Sequence, residues 1–128
     1  RFALVYLDVD GLKKVNDSKG HGEGDLALKD LASVLRRSLR ERDFAARLGG
    51  DEFALLLPGT DSPTATGIAE KVLAGLGDAM PGEHRIGASI GIVPDAQRFT
   101  TTEAVRKADT AMYTSKQAGG SRITVAEV

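Results

Sequence analysis

Two short apolar runs, Phe44-Ala45-Ala46 and Ala54-Leu55-Leu56-Leu57, flank the stretch Arg47-Leu48-Gly49-Gly50-Asp51-Glu52-Phe53. A Gly-Gly pair between such runs predicts a β-hairpin, because glycine supplies the positive φ of a tight turn without a Cβ clash. The hairpin commits the chain to antiparallel pairing and puts two adjacent carboxylates, Asp51 and Glu52, at a tip. By itself such a tip is ordinarily a solvated turn. Its meaning depends on what the rest of the chain brings to it.

Upstream, Phe2-Ala3-Leu4-Val5-Tyr6-Leu7 is an unbroken apolar run, the pattern of a strand buried on both faces. It ends in Asp8-Val9-Asp10, which aims carboxylates into the crevice where ligands collect in open α/β sheets. Asp10 also suits a helix cap. Asp8, at the end of the apolar strand, has no such role, and metal ligation is the expectation for it. Gly11-Leu12-Lys13-Lys14-Val15-Asn16-Asp17-Ser18 reads as a short helical turn. Lys19-Gly20-His21-Gly22-Glu23-Gly24-Asp25 reads as a binding loop, since alternate glycines sit poorly in a helix and let a ligand approach the backbone. His21 has no histidine or cysteine at ligand spacing and reads as a loop histidine.

From Asp25, Leu28, Leu31, Leu35 and Leu39 recur at helical spacing to about Arg40. Asp61-Ser62-Pro63 opens a second long helix with Ile68, Val72, Leu73 and Leu76 as its buried stripe. Ile86 to Val93 is another strand, ended by Pro94. Thr102-Glu103 starts a last helix whose inner face is Val105, Ala108, Ala111, Met112 and Ser115, and Ile123-Thr124-Val125 is a final strand. The order βααββαβαβ predicts an α+β, palm-like fold: a central mixed, mainly antiparallel sheet flanked by helices, which we expect on one side.

With 128 residues, no internal repeat and no linker, the chain reads as one domain, residues 1–128. A formal net charge of -1 argues against a basic nucleic-acid surface, and zero cysteines leave no thiolate metal site. No apolar run approaches the ~20 residues that span a bilayer. These features are compatible with the cytoplasm. Because Phe2 already begins a strand, we expect the domain to be excised from a longer multidomain protein.

Asp8, Asp51 and Glu52, gathered at one rim of the sheet without histidine or cysteine, form a ligand set for a hard, oxygen-loving ion such as Mg²⁺. Two such ions roughly 3.5–4 Å apart clamp both the attacking and the leaving oxygen of an in-line displacement at phosphorus. Lys13 can place positive charge on the phosphates. Asn16 and Asp25 carry groups that read a purine edge, and a carboxylate facing two N–H donors favours guanine.

In these residues the chain resembles a GGDEF domain, the diguanylate cyclase family. The signature is Gly49-Gly50-Asp51-Glu52-Phe53, joined in order by Asp8-Val9-Asp10, Lys13-Lys14-Val15-Asn16-Asp17, Gly20-His21-Gly22-Glu23-Gly24-Asp25, Ser89-Ile90-Gly91-Ile92 and Ala108-Asp109-Thr110-Ala111-Met112-Tyr113-Thr114-Ser115-Lys116. The resemblance implies a fold akin to nucleotidyl cyclases and polymerases, and condensation of two GTP into cyclic di-GMP and two pyrophosphates across a homodimer. It implies Mg²⁺, with Mn²⁺ as the alternative, held by Asp8, the Val9 carbonyl and Asp51. Glu52 is either a further ligand or the group that helps deprotonate the attacking hydroxyl. Asn16 and Asp25 would hold guanine with His21 and Leu12 nearby, and Lys13 and Lys116 would contact phosphates. Family members that make adenine-containing dinucleotides carry a small residue at the position of Asp25.

Arg40-Glu41-Arg42-Asp43 falls where the family carries an Arg-x-x-Asp product-inhibition site, with Arg47 as an assisting residue. Arginine forks suit phosphate and guanine edges, although charges at a helix end are commonly just solvated. Where the family continues its last lysine with Gly-Arg-Asn, this chain has Gln117-Ala118-Gly119-Gly120-Ser121-Arg122. The arginine expected at 120 is glycine, so its phosphate contact is either lost or taken over by Arg122. Leu12 replaces a common phenylalanine, and the family's upstream Asp-x-Leu-Thr-x-Leu-x-Asn-Arg helix is absent from the sequence. Two other classes stay open at this point: an idle module that binds GTP or cyclic di-GMP and regulates fused sensory or regulatory domains, and a polymerase-like palm acting on nucleic acid. The near-neutral charge and the lack of stacking aromatics near the loops disfavour the latter.

Overall fold

The computed structural model describes residues 1–11, 21–79 and 86–127, with the backbone alone for residues 21–25 and 78–79. Among the described residues five strands, β1 (Phe2–Asp10), β2 (Phe44–Gly49), β3 (Glu52–Pro58), β4 (Gly87–Val93) and β5 (Arg122–Val125), alternate with three α-helices, α1 (His21–Ser38), α2 (Ser62–Ala79) and α3 (Thr101–Gln117). Residues 12–18 of the expected helical turn lie outside the described residues. The strands form one sheet in the order β2-β3-β1-β4-β5. β1 runs antiparallel to both its neighbours, β2 pairs antiparallel with β3, and only β5 lies parallel to its partner β4. The sheet is therefore mixed and mainly antiparallel, as the sequence predicts.

β1 takes the middle because it is apolar at both parities. Ala3, Val5, Leu7 and Val9 pack with Leu31, Val34 and Leu35 of α1 and Ile68, Val72 and Leu76 of α2. Leu4 packs on the opposite face with Ala104 and Ala108 of α3, beside half-buried Phe2 and Tyr6. Helices thus cover both faces, which corrects the one-sided expectation. A strand with apolar residues at successive positions presents them to both sides of its sheet, and each side needs a cover.

Helix boundaries follow capping chemistry. The Asp61 carboxylate accepts from the Thr64 N–H at 2.9 Å and caps α2. Thr100 and Glu103 form a reciprocal capping box at the start of α3, which begins at Thr101, one residue before the expected start. α1 begins at His21 and not at Asp25, so the glycine-containing segment expected as a loop is helical from His21 onward. Gly22 and Gly24 fall in its first turn, where N–H groups lack intrahelical partners in any case. In α3 the buried stripe is Ala104, Ala108, Ala111, Met112 and Ser115, whereas Val105, expected inside, is exposed. At 3.6 residues per turn the stripe through 108, 111 and 115 continues to 104.

α3 lies very low on the sheet at Gly91. A Cβ there would run into the Met112 nitrogen and stand 2.5 Å from the Ala108 carbonyl oxygen, both backbone atoms that cannot step aside. Gly91→Ala is therefore expected to destabilise the fold by about 2–3 kcal/mol, an overpacking cost, lowering the melting temperature by roughly 8–12 °C. A calorimetric scan showing less than about a 2 °C change would mean that the helix rides higher than described.

Candidate functional site

The end of β1 is stitched to the hairpin tip. Asp8 lies opposite Glu52 on β3 and opposite Ser89 on β4, and the Val9 N–H donates to the Asp51 carbonyl at 2.9 Å. Residues opposite one another in neighbouring strands share a face, so Asp8 and Glu52 both project toward the α3 side. Strand residues in an antiparallel ladder direct N–H and C=O to the same neighbour, so the Val9 carbonyl also faces the tip. Ser89 is in turn beside Arg122 in β5. One row therefore crosses four strands as Glu52, Asp8, Ser89 and Arg122, with neighbours about 4.8 Å apart.

Asp8 is only 4% exposed. From the last turn of α3, Lys116 brings its Nζ to 2.6 Å from Asp8 Oδ2, while Asp8 Oδ1 is buried with no hydrogen-bond partner among the described residues. Burial pushes the Asp8 carboxyl above the usual carboxylate range and the nearby Asp51 carboxylate pushes the same way, against the pull of the Lys116 ammonium. The bond to Asp8 holds Lys116 above the usual lysine range. Lys116 is half exposed, so its ammonium can leave Asp8 without losing a packed position.

Among the described residues no three His, Cys, Asp or Glu side chains close into a metal cage. The donors present nonetheless fit Mg²⁺: one buried carboxylate oxygen with no partner among the described residues, a second carboxylate beside it, and a strand-end carbonyl. Mg²⁺ keeps several waters and takes one or two carboxylates plus substrate phosphates, so a complete protein cage is not required.

Asp10 does something the sequence did not disclose. Its Oδ1 accepts from Ser89 Oγ and its Oδ2 from the Ser121 N–H, each at 2.8 Å. A Cβ at position 120 would stand 2.6 Å from Asp10 Oδ2, and Gly120 has a φ of +75°, so the α3–β5 loop passes Asp10 on a glycine that nothing larger replaces without strain. Arg122 Nε donates to the Gly120 carbonyl at 3.0 Å, which engages this arginine within its own loop, two strands from Asp8. The signal in the sequence was the Gly119-Gly120 pair; its partner is 110 positions away.

Arg40 and Asp43 face each other in a closed turn between α1 and β2. The Asp43 carboxylate accepts from the Arg40 main-chain N–H at 2.7 Å, from Nε at 3.0 Å and from Nη2 at 2.7 Å. Nη2 also donates to the Pro58 carbonyl at 3.2 Å and to Thr60 Oγ1 at 2.5 Å. Burial works to raise the Asp43 carboxyl, but the bonds from Arg40 outweigh it and hold it below the usual range. These charges form a built pair and are not merely a solvated helix end. Arg47, expected to assist, is spent elsewhere: its Nε and Nη2 donate to the Gly50 carbonyl at 3.0 and 2.6 Å, at the other end of β2. Leu12, Lys13 and Asn16 lie outside the described residues, and of His21 and Asp25 only the backbone is described, within the first five residues of α1.

Comparison with known proteins places these residues in a context. The family profile described as "Diguanylate cyclase, GGDEF domain" matches residues 1–122. The chain is 45% identical to the probable diguanylate cyclase DgcE of Escherichia coli (strain K12), over 99% of this chain and 12% of that protein. It is 42% identical to the bifunctional diguanylate cyclase/cyclic di-GMP phosphodiesterase MucR of Pseudomonas aeruginosa, over 93% of this chain and 18% of that one. The crystal structure of the GGDEF domain of DgcB from Caulobacter crescentus in complex with c-di-GMP superposes with a TM-score of 0.90 at 30% identity, over 99% of this chain and 78% of that one. The chain thus spans less than a fifth of the first two proteins.

A carboxyl with a raised folded pKa binds its proton more tightly when folded, so its stabilising contribution is complete below the unfolded pKa and is lost as pH rises through the folded one. Asp8→Asn removes that titration. In buffer containing a chelator, the variant is expected to melt above the wild type near pH 7, with the gap closing toward about pH 4. A variant that melts lower near neutral pH would refute a net cost of burying the Asp8 charge.

Proposed function

The chain belongs to the GGDEF-domain family of diguanylate cyclases, and on that footing we propose that it condenses two GTP into cyclic di-GMP and two pyrophosphates. One observation carries the proposal. A buried carboxylate, one oxygen of which has no partner among the described residues, stands at the end of the central strand, bonded through its neighbour's backbone to the Gly-Gly-Asp-Glu tip, with a lysine from α3 within reach. Residues 1–128 act as one catalytic domain. Two such domains face each other, each holding one GTP, and the 3′-hydroxyl held by one attacks the α-phosphorus held by the other. The bond to pyrophosphate breaks as the new phosphodiester bond forms, and the hydroxyl proton passes to an acidic side chain.

Asp8, the Val9 carbonyl and Asp51 would hold Mg²⁺, or Mn²⁺ in its place. Glu52 either completes that set or draws the proton from the hydroxyl. When bound, the cation supplies neutralisation of triphosphate charge and polarisation of the phosphoryl oxygens. Lys116 transfers its ammonium from Asp8 to the phosphates, in the manner of a lysine that follows building negative charge. Lys13 joins it there, while Asn16 and Asp25 read guanine beside His21 and Leu12. Arg122 sits in the same row as Asp8, two strands away, and reaches phosphate only by leaving its loop contact. Arg40 and Asp43 bind the cyclic di-GMP product and inhibit the enzyme. No described helix is long and apolar enough to cross a membrane. We place the domain in the cytoplasm with its GTP, fused to sensory or regulatory domains, because it spans so little of its relatives.

Glu52→Gln in the full-length protein is expected to lower turnover of GTP to cyclic di-GMP by about 10²-fold or more, with an unchanged circular dichroism spectrum, as for loss of a group acting on the reacting atoms. Undiminished turnover would remove Glu52 from the chemistry. Failure of the wild type to form any dinucleotide with Mg²⁺, together with tight GTP or cyclic di-GMP binding, would make the domain a regulatory binding module instead. Arg40→Ala is expected to raise the cyclic di-GMP concentration for half-inhibition at least about tenfold, the loss of a charge-assisted fork. An unchanged inhibition curve would return Arg40 to a purely structural part.

A further inference from the structure

Against the turn that holds Arg40 lies a buried hydroxyl that neither the motif nor the proposed chemistry uses. Thr60 is 0% exposed, and its Oγ1 has both hydrogen-bonding roles engaged: it accepts from Arg40 Nη2 and donates to the Pro58 carbonyl at 2.9 Å. The Asp43 side chain is likewise 0% exposed, whereas that of Arg40 is 29% exposed. The guanidinium therefore has a filled inner edge, with Asp43 on Nε and Nη2 and with Thr60 and Pro58 on Nη2. Among the described residues no hydrogen bond is made by its remaining nitrogen, Nη1. The partially exposed part of the group is thus a planar cation whose orientation is set before any ligand arrives.

Four elements meet here. Arg40 follows α1, Asp43 precedes β2, Pro58 ends β3, and Thr60 stands just before α2. An arginine loses much side-chain freedom when it is fixed, and a site that is fixed in advance does not lose it again on binding. Asp43 alone leaves the fork attached to its own short turn. Thr60 ties it to the β3–α2 junction, a separate part of the backbone.

We propose that Thr60 is a positioning residue for the inhibitory site: its hydroxyl fixes the Arg40 guanidinium so that the Nη1 edge and the flat face meet a phosphate or guanine edge of a cyclic purine dinucleotide. The proposal rests on the product-binding role given above to Arg40. Thr60 touches no ligand in this scheme and acts only through the arginine.

The test is cyclic di-GMP binding by calorimetry to the full-length protein, comparing wild type, Thr60→Val, Thr60→Ser and Arg40→Ala, with melting temperatures recorded for each. Thr60→Val keeps the shape and removes the hydroxyl, and is expected to weaken binding about fivefold, the worth of one hydrogen bond. Thr60→Ser keeps the hydroxyl and loses the methyl, and is expected to bind within about twofold of wild type even where its melting temperature falls. A purely structural role would make affinity follow melting temperature through both variants, which would overturn the proposal. So would an unchanged affinity in Thr60→Val while Arg40→Ala binds weakly. Unchanged affinity in Arg40→Ala fails the inhibitory-site role itself, and the positioning role with it. Should Thr60→Val not fold, Thr60→Ala is measured against Thr60→Ser for the same hydroxyl-dependent difference, and its absence counts against the proposal.

Discussion

The hydrogen bond from the Val9 N–H to the Asp51 carbonyl joins the two halves of the candidate site, and it exists because β1 is the strand every other part of the sheet leans on. A central strand must be apolar on both faces, so its carboxyl-terminal residues emerge from the most deeply covered part of the molecule. Asp8 therefore carries its charge in surroundings that resist charge, with one oxygen held by Lys116 and the other bonded to none of the described residues. A group in that condition costs the fold something and gains most from a cation. With the metal-binding role proposed for Asp8, stability and function pull against each other at this one side chain, a common condition at sites of chemistry.

The neighbouring acid works in the opposite sense. Asp10 is two residues on, projects from the same face, and has both oxygens satisfied by Ser89 and the Ser121 N–H. It is a clamp for the α3–β5 loop, and that loop holds a glycine at the position where the family resemblance leads one to expect an arginine. Replacing Gly120 by any larger residue would drive a Cβ toward the Asp10 carboxylate. The departure from the family pattern and the clamp are thus one feature: the loop gives up a cationic side chain and gains a close backbone approach to an acid. Arg122 remains in the row of Asp8 but is bonded within its own loop.

The short ribbon β2–β3 has different chemistry at its two ends. Arg47 braces the Gly-Gly tip through the Gly50 carbonyl, while Arg40, Asp43, Pro58 and Thr60 interlock at its base. The two arginines are only seven positions apart in sequence, yet a strand separates their tasks. Spacing along the chain grouped them; an extended backbone, rising about 3.3 Å per residue, keeps them apart.

What the sequence determined by itself was whatever depends on neighbours along the chain. The Gly-Gly hairpin, the buried first strand with its terminal acids, the helical stripes of Leu28, Leu31 and Leu35 or of Ile68, Val72 and Leu76, and the mainly antiparallel sheet all follow from local period and turn chemistry. The order of motifs also made the family legible. Tertiary structure alone decided which distant groups meet: Lys116 on Asp8, 108 positions away, Ser121 on Asp10, 111 positions away, and Thr60 on Arg40. It also put α3 on the opposite face from α1 and α2. No local pattern encodes these, because they depend on the register in which strands pair and on how closely a helix settles over Gly91, and both are set by packing across the whole sheet.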